Sequence, residues 1–225
     1  MARPVVMSFS GGKDCTYALH VLNQDPDWQV VRLLTTATRD YRRTSMHGVR
    51  IELLRRQAAS LGLPLDIVWL EAGGDGRDYE NRMAEMLAGY KKQGIEQVAF
   101  GDLYLEDIRE YRERLNASVG LGSIFPLWGV PARELAERLI DDGFRAVVVC
   151  VDTEQLDGSF CGREYDASLL RDLPGTVDWC AEKGEFHTFC YDGPVFREAV
   201  PFIEGEKVLR DGRFYYLDLL PAEGS

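Results

Sequence analysis

Residues 4–15 read Pro4-Val5-Val6-Met7-Ser8-Phe9-Ser10-Gly11-Gly12-Lys13-Asp14-Cys15, an apolar run that breaks into two glycines and a lysine. The pattern predicts a buried strand over Val5–Phe9, a tight turn, and a helix from Asp14 to Leu22 with Ala18, Val21 and Leu22 on one face. Two adjacent glycines free backbone N–H groups to form a concavity for anions, and the helix that follows points its positive end at the same place. A phosphate or pyrophosphate fits such a turn. Lys13 is placed to neutralise its charge, and Ser10 and Cys15 are small enough to donate to its oxygens.

Working outward, strand and helix signals alternate. Strands are expected at Gln29–Leu34 (running into Thr35 and Thr36), Leu65–Leu70, Val98–Phe100 and Ala146–Val151. Helices are expected over Met46–Leu61, Tyr79–Gln93, Leu105–Val119 and from Pro131 to Asp142, with Gly62 and Pro64 as a helix stop. Short apolar strands between helices predict βαβ units and a parallel sheet covered on both faces. Such sheets bind ligands at the carboxyl ends of their strands. The glycine turn, Thr35 and Gly101-Asp102 all fall at such ends and can converge on one nucleotide.

The periodicity changes near residue 152. Asp152–Pro194 reads as loop-rich, and Glu206–Arg210 with Arg213–Leu217 flank Asp211-Gly212, a two-residue hairpin signal. The expected organisation is therefore α/β: a doubly wound, Rossmann-like domain over 1–151 and a smaller C-terminal lobe over 152–225 ending in a β-hairpin. That hairpin offers an edge to a second subunit, which would make a homodimer.

The 225 residues are 45% apolar, enough for a sizeable core, and carry a net charge of −11. So acidic a chain is not expected to bind nucleic acid broadly, because that needs a basic face. Arg39, Arg42, Arg43, Arg50, Arg55 and Arg56 nonetheless cluster, and they suit a solvated helix and loop as well as a phosphate-facing patch. Five cysteines without a C-x-x-C pair, and no leader before Val5, point to reduced thiols and a cytoplasmic location. No apolar run reaches transmembrane length, so no membrane is expected as a partner.

The glycine turn has neither the G-x-x-x-x-G-K-[ST] nor the G-x-G-x-x-G spacing. Ser10-Gly11-Gly12-Lys13-Asp14 with a small residue next instead resembles the pyrophosphate loop of the ATP pyrophosphatases, which cleave ATP between its α and β phosphates. That likeness implies ATP and Mg²⁺ as cofactors, and Mg²⁺ takes one or two carboxylates along with phosphate oxygens and water. Asp14 and Asp102 are the candidates, Asp102 the better placed; Asp102 also suits a cap for the helix at 105–119, and the two roles are compatible. A second constellation is Cys180-Ala181-Glu182-Lys183-Gly184-Glu185-Phe186-His187-Thr188, read as a glycine-bearing loop. Two carboxylates and an imidazole there suit amine binding, base chemistry on ammonia, a metal site, or a polar turn with satisfied hydrogen bonds. His47, in Thr44-Ser45-Met46-His47-Gly48, suits a helix start as well as a chemical role, and Phe125–Trp128 suits a structural part or a wall of an adenine pocket.

Taken together, SGGKD, TSMHGVR, FGDLYLEDIREYRERL, FPLWG and CAEKGEFHTFCYDGP resemble the diphthine–ammonia ligase family over about residues 4–200. This is a branch of the N-type ATP pyrophosphatases, with a HUP-type nucleotide domain and a smaller C-terminal lobe. The resemblance implies that ATP adenylates a carboxylate with release of pyrophosphate, and that ammonia then converts the acyl-adenylate to an amide and AMP. In the eukaryotic family the carboxylate belongs to diphthine on a protein. By position, Ser10, Gly11, Gly12, Lys13 and Asp14 would hold phosphates. Gly101 and Asp102 would line the nucleotide site, and Glu182, Glu185 and His187 the acceptor or ammonia site. Cys15 stands where the family has serine, Ala181 where it has glycine, and Lys183 adds a charge beside the acids, so the acceptor is either diphthine or another small-molecule or protein carboxylate. Two rivals stand beside the ligase: a sensor that binds ATP without turning it over, and a tRNA sulfur-transfer enzyme, which the missing cysteine pair and the acidic surface disfavour.

Overall fold

In β1 (Arg3–Ser8) the side chains alternate between two cores: Val5 and Met7 pack to one side and Val6 to the other, all fully buried. A strand buried on both faces belongs in the middle of a covered sheet. In the computed structural model, which describes residues 2–74 and 76–222, β1 pairs in parallel with β2 (Trp28–Thr38) and β5 (Gln97–Ala99). β4 (Leu65–Leu70) lies outside β2, and β6 (Gly122–Ile124) lies outside β5, both parallel. The two-residue β3 (Arg43–Thr44) runs antiparallel to the end of β2.

Helices α1 (Lys13–Gln24) and α2 (Ile51–Leu61) cover the Val5 and Met7 face. Helix α3 (Gly76–Lys92) covers the Val6 face through Met83, Leu87 and Tyr90, and Leu115 of α4 (Glu106–Ala117) packs there too. The parallel sheet is thus doubly wound, as expected. Its strand order, β4-β2-β1-β5-β6, reverses direction between β1 and β5. That reversal opens a crevice at the carboxyl ends of those two strands, where the glycine loop and Gly101-Asp102 sit.

After α5 (Ala132–Asp141) comes a separate antiparallel sheet ordered β8-β7-β10-β9, formed by β7 (Arg145–Asp152), β8 (Phe186–Asp192), β9 (Phe202–Arg210) and β10 (Phe214–Pro221). A short 3₁₀ turn at Gly158–Phe160 and helix α6 (Ala167–Asp172) lie between β7 and β8. The strand expected at 146–151 is therefore β7, a central strand of this second sheet and not a member of the parallel one. A continuous apolar run reads alike in either setting, because both bury it on both faces. The division expected after residue 151 cuts β7 one residue before its end. The outermost residues of the two expected ranges, 1 and 223–225, lie outside the described residues.

Two other elements differ from expectation. The helix expected from Met46 begins only at Ile51, because Met46 and Gly48 both adopt positive φ, 62° and 66°, and break it. The segment read as a loop through Thr188 becomes strand β8 from Phe186 onward. At the far end of β7 the Asp152 carboxylate, 2% exposed, is gripped by Arg213 at 2.6 and 2.8 Å, which with Gln155 holds its pKa down at about 2. Among the described residues no helix is long and apolar enough to cross a membrane.

Candidate active site

The glycine loop is held by the second sheet. Gly11 has a φ of 84°, and a Cβ there would strike Leu54 and Gln57 of α2. Its carbonyl accepts hydrogen bonds from Cys190 N and Gln57 Nε2, both at 2.9 Å. Gly12, the N-cap of α1, has no side chain to offer. The cap comes instead from β8: Thr188 Oγ1 accepts from Lys13 N at 3.1 Å. A hydroxyl on a strand of one lobe thereby fixes the phosphate-facing helix end of the other. Thr188→Val, which keeps the shape and removes the acceptor, is expected to cost about 1 kcal/mol in urea unfolding; an unchanged midpoint would mean that the cap contributes nothing.

The Lys13 side chain is buried. Its Nζ donates to Asp14 Oδ2 at 2.9 Å and to Cys180 O at 2.6 Å, beside the rings of Tyr165 and Phe186. Burial opposes the ammonium charge, but Asp14, Cys180 and Glu182 around it override that and raise its pKa. Burial raises the Asp14 pKa too, against the pull of Lys13, and Asp14 Oδ1 is buried without a hydrogen-bond partner.

The three remaining carboxylates have different places. Asp102 is bound by Arg112, which donates from Nη2 to Oδ1 at 2.9 Å and brings Nε to 2.7 Å from Oδ2. It does not cap α4, whose N-cap position is Leu105. Glu182 faces the crevice and accepts from Leu103 N at 2.7 Å. Burial pushes its pKa up to about 7; Asp14 and Asp102 add to the rise and the Leu103 N–H opposes it. Glu185 does not face the crevice. It is 2% exposed and accepts from Asp178 N at 3.0 Å, bracing the turn that carries Cys180.

His187 meets His47, which the sequence left without an assigned role. Their rings face each other at a tilt of 38°, with centroids 4.6 Å apart. His47 Nδ1 lies 3.0 Å from Thr188 O, a carbonyl that can only accept, so Nδ1 carries the hydrogen. Burial pushes the His47 pKa down to about 4, and burial, with His47 and Lys13 nearby, pushes that of His187 well below the ordinary range.

Two cavities meet over this loop. One, of about 420 Å³, is walled by the ends of β1 and β2 (Ser8, Leu34, Thr35, Thr36), by Leu70 and Phe100, and by Tyr79 and Tyr111 from α3 and α4. The other, of about 250 Å³, is walled by Ser10, Lys13, Asp14, Cys15, Gly101, Asp102 and Glu182. Ser8, Ser10, His47, Phe100, Arg112 and His187 border both. Gly101 is there because a Cβ would come within 2.9 Å of Cys15 N and 3.0 Å of Asp14 C at the start of α1.

The structure thus gathers Ser10, Lys13, Asp14, Cys15, Gly101, Asp102, Glu182 and His187 at one crevice with Thr35 at its far end, and leaves Glu185 behind the wall. Sequence reasoning left the role of His47 open and missed Gln57, Arg112 and Thr188. Three of these lie in the quoted TSMHGVR, FGDLYLEDIREYRERL and GEFHT segments, whereas nothing in the pattern marked Gln57. The arginine cluster turns elsewhere: Arg43 and Arg50 pair with Asp218, Arg39 with Glu71 and Arg56 with Glu52. Phe125 and Trp128 meet edge to face, with Arg109 over both rings, outside both cavities. All five cysteines are free and buried, and burial raises the Cys15 pKa, so it is a thiol.

Among the described residues no group of three or more His, Cys, Asp or Glu side chains is placed to hold a metal alone. The unpartnered Asp14 Oδ1 beside the Asp102 carboxylate fits Mg²⁺ brought in on phosphate oxygens, which needs only one or two protein carboxylates.

No curated protein sequence matches the chain. Two family models do: the diphthamide synthase N-terminal domain over residues 3–123 and the diphthamide synthase C-terminal domain over residues 131–218. The first carries the glycine loop, His47 and Asp102, and the second carries Glu182, His187 and Thr188. The loop of one and the strand that clamps it in the other are therefore both accounted for, and the chain belongs to the diphthamide synthase family, a family of ATP-pyrophosphatase type.

Proposed function

We propose that the chain uses ATP to adenylate a carboxylate and then amidates it with ammonia. The observation that carries this reading is the pair of joined cavities over the glycine loop. One has the apolar walls and volume suited to a nucleoside; the other sets the loop lysine against an acidic wall. Adenosine occupies the first cavity, with Thr35 and Thr36 toward it, and the phosphates cross the glycine loop. A carboxylate oxygen of the acceptor attacks the α-phosphorus, and pyrophosphate leaves beside Lys13 and the start of α1. Ammonia then attacks the acyl carbon, AMP departs, and Glu182 takes the released proton. Bound Mg²⁺ would neutralise phosphate charge, held by Asp14 and Asp102. The buried Cys15 thiol lends no support to sulfur transfer.

The test is product analysis by phosphorus NMR, with Mg-ATP, ammonium and a small-molecule or macromolecular extract of the source cells. AMP plus pyrophosphate, dependent on both extract and ammonium, is the expected outcome. ADP plus phosphate overturns the mechanism. Bound but intact ATP with every fraction points instead to a nucleotide sensor.

A further inference from the structure

Resting on that reading, we propose that His47 and His187 complete the phosphate site: one imidazole of the apposed pair takes up a proton when the nucleotide enters and becomes a cationic donor to its phosphates.

The placement is direct. A Cβ added to Gly12 in the loop would lie 2.8 Å from His47 Cε1, so the imidazole edge overhangs the loop itself. Both histidines border both cavities, at the junction the phosphates cross. With Nδ1 committed to Thr188 O, the Nε2 of a neutral His47 has only a lone pair to offer, and His187 Nε2 is buried without a partner. Phosphate oxygens also only accept, so a neutral pair cannot bond to them through Nε2 of His47. A proton there converts the clash into a charge-assisted hydrogen bond.

The balance of surrounding charges turns toward that proton only when phosphates arrive. The groups facing the pair are Lys13 and Asp14 on α1, Asp102, Arg112 on α4, Glu182, and Asp152 at the end of β7, with Tyr79 and Tyr111 across the first cavity. Each cation facing the pair already shares its charge with a carboxylate, Lys13 with Asp14 and Arg112 with Asp102, and Glu182 adds a further acid. Without nucleotide, burial and Lys13 keep both rings neutral, which also lets them sit 4.6 Å apart without repulsion. Phosphate charge at the junction reverses the sign of the local field and favours one imidazolium.

The chain has three histidines, so each ring can be followed by NMR after ¹³C labelling, with assignment by His→Gln variants. His20, against Phe144, serves as a control. With saturating ATP, the titration midpoint of His47 or His187 is expected to rise by more than one pH unit while His20 does not respond. ATP affinity is expected to weaken as pH rises, by up to about tenfold per unit where one proton is taken up. His47→Gln or His187→Gln, whose amide donates without titrating, is expected to flatten that dependence. ATP that saturates the protein while both midpoints stay put overturns this proposal alone, as does an unchanged pH slope in both variants. ATP that does not bind at all overturns it together with the proposed function.

Discussion

Lys13→Ala is expected to abolish nucleotide binding and to destabilise the fold by about 3 kcal/mol. The two losses have separate causes. Binding fails because the loop loses its one cation, leaving backbone amides and a helix end against the phosphates. Stability falls because the side chain is 2% exposed and is the partner of both Asp14 Oδ2 and Cys180 O. Removing one member of a buried pair strands the other, and the stranded Asp14 carboxylate is already disfavoured by its surroundings. The double variant Lys13→Ala with Asp14→Asn separates the causes: it should recover much of the urea midpoint and none of the affinity for ATP, followed by calorimetry. Affinity retained by the single variant would remove Lys13 from the phosphate site. A fold as stable as the wild type would show that the buried pair is not needed.

What the sequence made legible, and what it hid, follows from how far each interaction reaches along the chain. The first strand, the glycine turn and α1 are adjacent in sequence, and their apolar pattern and glycines dictate the turn locally. Thr188 caps α1 from 175 residues away, and no local pattern announces such a contact. His47 gains its meaning only because β8 brings His187 against it. Glu182 and Glu185 are alike in the sequence, two acids flanking Gly184. The tight turn there separates them, sending Glu182 to the crevice and Glu185 back to Asp178. β7 was readable as a strand but not as a member of the second sheet, since its partners β8 and β10 come later in the chain.

Glu182→Gln is expected to keep ATP bound and lose turnover by 10²- to 10⁴-fold, about the size of one general base. The argument rests on matched acidity: burial has brought the Glu182 pKa to about 7, where a carboxylate both exists near neutral pH and holds a proton well enough to take one from attacking ammonia. Wild-type turnover should accordingly climb as pH rises through about 7. Stability should move the other way. The folded protein keeps this proton up to about 7, whereas the unfolded chain gives it up near 4.5, so the folded state is favoured at low pH and loses that advantage as pH climbs between the two values. Glutamine retains an acceptor for the Leu103 N–H and never ionises. The variant should therefore melt above the wild type at pH 8 and close to it at pH 4, a crossover that thermal unfolding at the two pH values reads directly. Glu185→Gln, which touches Asp178 and not the crevice, should leave the turnover profile centred where it was. If Glu182→Gln turns over like the wild type, or if its melting shows no such crossover, the base is another group and Glu182 serves only to hold the Leu103 turn.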